Sequence, residues 1–156
     1  MYYTVEERNK AIRVARTVIK ERTKGASDYT WGYNDCWSLF VEYDKALRGD
    51  YSFYNNFSFN YSGVKGFFLE ARKQGLKSLK DIAIKSNYEI IKTSRPELGD
   101  IAFDRPRSDY EGATMIAGNG CWITTTGKEP GTSDKKQLFF LERNLSILAR
   151  PLRNKP

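Results

Sequence analysis

The chain has 156 residues, 40% of them hydrophobic, which is long enough for one domain with a real core and too short to expect two. Its net charge of +7 and pI near 9.4 suit an acidic partner but equally serve solubility, so charge alone assigns no function. Two cysteines, Cys36 and Cys121, are too few for a disulfide framework and lack metal-ligand spacing, which argues against zinc, and no histidine occurs anywhere.

The opening "MYYTVEERNK" lacks a basic region followed by an apolar core. No later segment approaches the length of an apolar span, so a soluble chain without a membrane anchor is expected. "NFS", "NYS" and "NLS" match the glycosylation pattern, but without a secretory signal they read as chance. A Cys36–Cys121 bridge is open in principle, although a cytoplasmic chain keeps such thiols reduced.

"TVEE" has the form of a capping box, Thr4 at the cap and Glu7 three residues on, and predicts a helix over 4–24 that stops at Gly25. Its apolar positions are Ala11, Val14, Ala15, Val18 and Ile19. Arg13, Arg16, Lys20 and Lys24 form a displaced basic stripe, read as a solvated face or a contact for an acidic surface. A loop, "GASDYTWGYND", leads to a second helix over 35–48, capped by Asn34 or Asp35 and carrying Leu39, Phe40, Tyr43 and Leu47. Cys36 lies in its first turn, where the helix dipole favours a thiolate.

"YSFYNNFSFNY", Tyr51 to Tyr61, is aromatic without alternation and reads as an irregular segment packed over the domain. Stacking on nucleic acid is the sharper reading, but no basic residue is interleaved. A third helix in "SGVKGFFLEARKQG" buries Val64, Phe67, Phe68 and Ala71, and "LKSLKDIAIKSN" holds a short helical turn. The period then changes. "YEIIKT", "DIAFD", "ATMIAG", "CWITTT", "KQLFFL" and "LSILARPL" read as strands, with "GNG" as a hairpin signal, making 87–152 the strand-rich half. Helices followed by strands imply an α+β fold, one domain over 1–156 in which an antiparallel sheet packs on the cysteine-bearing helix.

A thiol that attacks a carbonyl needs a route to the thiolate and a proton donor for the leaving group, ordinarily an imidazole. "WGYNDCWSLFVEYDKALRG" resembles the cysteine motif of the NlpC-type cysteine peptidases, bacterial and phage cell-wall hydrolases with a papain-like fold. The order of "PELGDIAFDR", "ATMIAGNGCWITTT" and a final "ARPL" is similar to small members found in the tail tips of long-tailed phages, over roughly residues 28 to 152. The resemblance implies Cys36 as the nucleophile position, a histidine opening the strand after the "GD" hairpin, and an orienting residue on the next strand. Anchored on "GNG", the histidine position falls on Gly112 and the orienting position on Thr124. A shift of one or two residues offers only Glu111, Ala113 or Thr114. For Cys121, beside Trp122, packing is the expectation.

Pro96 and Gly99 account for "RPELGD" as a tight turn, so Asp100 need not be catalytic. Asp104, Asp109 and Glu111 match no calcium motif and are interrupted by Arg105 and Arg107, so no metal or cofactor is expected.

Three functions follow. The first is an inactive NlpC-like domain serving as a structural virion protein of a tail tip or baseplate, with other tail-tip and hub proteins as partners through Tyr51–Tyr61 and "RPLRNKP". It would be assembled in the host cytoplasm. The second is an active peptidoglycan hydrolase using Cys36 with a carboxylate or a partner-supplied base. The third is a basic nucleic-acid-binding module, which no recognised motif accompanies.

Overall fold

The computed structural model describes residues 1–24, 31–57, 59–92, 96–104, 113–126, 129–136 and 146–154. Helix α1 spans Val5–Thr23 and opens on the expected capping box, in which the Glu7 N–H donates to Thr4 Oγ1 at 3.1 Å and the Thr4 N–H to the Glu7 carboxylate at 3.3 Å. Its buried stripe is Arg8, Ala11, Ile12, Ala15 and Ile19, which leaves Val14 exposed. The stripe is rotated from the expected one because Arg8 turns inward to Glu97 at 3.3 Å and Asp100 at 3.7 Å, and Ile12 shares its side.

Helix α2, Cys36–Arg48, begins one residue inside the expected bounds because Asp35 is its cap. Leu39, Phe40 and Tyr43 are fully buried, so this helix forms the centre of the molecule. Its C-terminal end is pinned by a buried network. Asp44 accepts from Arg48 Nε at 2.7 Å, Ser52 Oγ at 2.7 Å and the Tyr88 hydroxyl at 3.0 Å. Arg48 in turn reaches the carbonyls of Leu152 and Asn87, which ties α2 to the C-terminal strand.

The segment after α2 makes two single 3-10 turns, Gly49–Tyr51 and Phe53–Asn55. As expected, it packs over the domain: the Trp37 ring lies 5.3 Å from Tyr54 and 5.6 Å from Phe59, centroid to centroid. Helix α3, Val64–Lys73, adds Phe67 to that cluster at 4.8 Å from Trp37, and α4, Leu79–Lys85, follows.

Six strands, β1 (Tyr88–Ile90), β2 (Ile101–Asp104), β3 (Ala113–Ala117), β4 (Cys121–Thr126), β5 (Glu129–Lys136) and β6 (Ser146–Pro151), form one sheet in the order β1-β6-β2-β3-β4-β5. Every neighbouring pair is antiparallel, so the chain is α+β. Ile101, Phe103, Ile116, Ile123 and Ala149 face the helices, while Ala102, Ala117, Trp122 and Leu148 form a smaller cluster on the other face. β5 covers "EPGTSDKK", where no strand was expected, and "KQLFFL" lies mostly outside the described residues. β5 lies at the edge of the strand order, and Pro130 falls in the register shift between the Thr125↔Thr132 and Thr126↔Glu129 pairs, where it has no partner on β4.

The turn Glu97–Asp100 feeds β2, with the Asp100 N–H on the Glu97 carbonyl at 3.0 Å. Gly99 sits there at φ +90°, and a Cβ would meet Arg8 Cβ at 2.7 Å and the Tyr43 hydroxyl at 2.8 Å, so only glycine fits. Asp100 is fully buried and accepts from Arg150 Nε at 2.8 Å and Nη2 at 3.0 Å, a structural pair that joins the turn to β6.

Candidate functional site

The buried Asp35 carboxylate collects four donors: the Ser38 N–H at 2.8 Å, the Ser38 hydroxyl at 2.6 Å, the Gly32 N–H at 2.9 Å and the Tyr61 hydroxyl at 2.5 Å. It is thereby committed to capping α2 and holding the loop and the aromatic segment together. Cys36, the first helical residue, is half-buried and stands where the α2 N-terminus favours negative charge.

The thiol meets the sheet at Thr114. The Thr114 N–H donates to Cys36 Sγ at 3.3 Å. This donor is available because β3 and β4 pair only at Ile116↔Ile123 and Ala117↔Trp122. In a regular antiparallel ladder Met115 would face Thr124, and the next hydrogen-bonded pair would be Thr114 with Thr125. Instead β4 departs, the sulfur takes the N–H, and the Thr124 hydroxyl donates to the Thr114 carbonyl at 3.1 Å. Cys36 and Thr124 therefore meet on the two backbone groups of one residue.

Alternation along β4 places Ile123 and Thr125 on the helix-facing side, and Trp122 and Thr124 on the other. The hydroxyl of Thr125 is buried and makes no hydrogen bond with any described residue. Sequence reasoning singled out Thr124; the neighbour that shares a face with the helix layer is Thr125. Gly112, Glu111, Asp109, Arg105 and Arg107 lie outside the described residues.

The helix start favours a thiolate, and among the described residues no side chain beside Cys36 is placed to carry a proton. The chain contains no histidine, and Asp35, the adjacent carboxylate, is saturated by its four donors. Asp44 and Asp100, the other fully buried acids, are held in arginine networks. Neither cysteine is in a disulfide. Burial, with the Asp134 carboxylate, pushes the Cys121 thiol up, so it stays protonated and packs beside the core.

Among the described residues no three His, Cys, Asp or Glu side chains cluster to hold a metal, and no described helix is long and apolar enough to cross a membrane. The basic stripe on α1 is half-neutralised: Arg16 pairs with Asp134 at 2.8 Å and Lys24 with Glu21 at 2.9 Å, while Arg13 and Lys20 are exposed. Comparison with protein-family models, with curated proteins and with solved structures finds no match to this chain.

Proposed function

We propose that this chain is a catalytically silent domain of NlpC-like, papain-type design that serves as a structural component of a phage tail tip or baseplate, held there by other tail-tip and hub proteins. The observation that carries the reading is a thiol set at a helix N-terminus against a strand N–H in a chain without an imidazole. General acid–base assistance contributes roughly a hundred-fold to ten-thousand-fold to such reactions, and an unprotonated amine leaves poorly. The tail assignment draws on the order of the sequence motifs, and the aromatic and basic surfaces suit protein neighbours.

The test is release of soluble peptides from purified peptidoglycan by the parent and by Cys36→Ala. Equal inertness of both is the expected result. Cleavage by the parent and not by the variant would overturn the proposal in favour of an active cell-wall hydrolase with an unusual or partner-supplied base.

A further inference from the structure

Helix α2 has a second working side. Val41 and Lys45, one turn apart, line a cleft of about 210 Å³ together with Phe57 and Phe59. The aromatic lining is preformed: Phe57 stacks on Phe53 with centroids 4.0 Å apart, and Phe59 lies against Trp37 at 5.6 Å. Such rigidity lowers the entropic cost of receiving a ligand. The volume is below that of a typical cofactor or drug-sized site and suits one large side chain.

The charges around the cleft are unequal. Arg22 and Glu42, which also line it, satisfy each other at 2.7 Å, and Arg22 donates further to the Tyr33 carbonyl at 2.8 Å. Lys45, half-buried, makes no ion pair with any described residue, so among the described lining residues it is the cation left to meet a ligand's charge, beside the aromatic side chains. Its complement is an apolar group with a carboxylate next to it.

We propose that this cleft docks a partner polypeptide through one apolar side chain followed by an aspartate or glutamate, whose carboxylate pairs with Lys45. Aromatic-lined pockets that take a single anchor residue are where interface energy concentrates. The inference rests on the reading that the chain works by holding protein neighbours, and it names the contact.

The full chain is titrated with acetyl-Phe-Glu-amide and with its isostere acetyl-Phe-Gln-amide while the Trp37 indole resonance is followed by NMR. Saturable shifts with Kd of about a millimolar are expected. At low salt the Glu peptide should bind about threefold tighter, as for a half-exposed ion pair. Lys45→Gln should abolish that preference and leave the Gln peptide unchanged, the variant's own spectrum reporting that it is folded. No shift up to about 10 mM overturns the proposal, as does a preference that survives Lys45→Gln. A short DNA oligonucleotide that moves the same resonances where the peptides do not would overturn it too. Peptidoglycan cleavage would remove the structural reading and leave this titration standing, because the titration reads only the cleft.

Discussion

If Cys36 serves as a structural acceptor, removing its sulfur should cost stability in a way that depends on what replaces it. Thr114 is only 8% exposed, and its N–H has Sγ as acceptor at 3.3 Å because β4 has left the ladder at that point. In Cys36→Ala this N–H is buried without a partner, a loss of about 1–3 kcal/mol in general. Sulfur is a weak acceptor, which places the loss near the lower end, about 1–2 kcal/mol, and alanine's better helix propensity returns a few tenths. Cys36→Ser keeps an acceptor on a bond a few tenths of an ångström shorter and should lose about half as much. The assay is urea unfolding at neutral pH, with midpoints compared at constant slope. Thermal midpoints should fall by about 3–6 °C for alanine in a domain of this size. An alanine variant as stable as the parent, or a serine variant less stable than alanine, would refute the argument and return Cys36 to chemistry.

Two further outcomes follow from buried groups. Burial raises the Tyr43, Tyr54 and Tyr88 phenols above their ordinary value of 10.0, so the folded state keeps protons that the unfolded state loses. Stability is then fully present below about pH 10 and falls above it, by about 1.4 kcal/mol per pH unit for each tyrosine and about 4 for the three. Urea midpoints between about pH 8 and 11 measure this, Tyr88→Phe should remove about a third of the slope, and a flat profile would contradict it. Asp100→Ala removes the buried carboxylate and leaves the Arg150 and Arg8 guanidinium groups to share the exposed Glu97, so it should cost about 3 kcal/mol, the lower end for a broken buried pair, part of which Asp100→Ala with Arg150→Met recovers. An Asp100→Ala variant with a parent-like midpoint would show that the pair is not a structural tie.

The parts legible in the sequence are those set by local chemistry. Thr4 and Glu7 announce α1, and the Asn34-Asp35 pair announces α2, because caps are short-range bonds; that Asp35 is the cap is settled by its bond from the Ser38 N–H. Parts set by partners distant in the chain were not legible. Arg8 reads as a surface charge until Asp100 is brought beside it, and the acceptors of Arg48 lie up to 106 residues away. β5 escapes recognition because an edge strand needs neither alternation nor a full set of donors, and "EPG" reads as a turn. At the candidate site the sequence marks the thiol at the helix start, but a backbone N–H leaves no trace in residue type, so Thr114 is visible only in the structure. Thr124 follows from anchoring the motif on "GNG", whereas the face of β4 that each threonine occupies is set by its pairing with β5 and β3, which residue type does not record.

The geometry around Cys36 separates two properties that are easily conflated. Asp35 and Asp44 fix the two ends of α2 through bonds to Ser38, Gly32, Tyr61, Ser52 and Tyr88, none of which involves the sulfur. The helix would present position 36 to β3 whatever chemistry was performed there, so a nucleophile's placement is a consequence of the scaffold and is no measure of activity. Activity depends on a proton carrier, and none of the chain's residues is an imidazole. The Thr114 N–H gives the sulfur a structural use that needs no imidazole. Lys45 and Val41 lie on a different side of the same helix from Leu39, Phe40 and Tyr43, so a contact made there leaves the thiol undisturbed. A scaffold that holds α2 by its ends thus fixes the position of both sides of the helix without drawing on the chemistry of either.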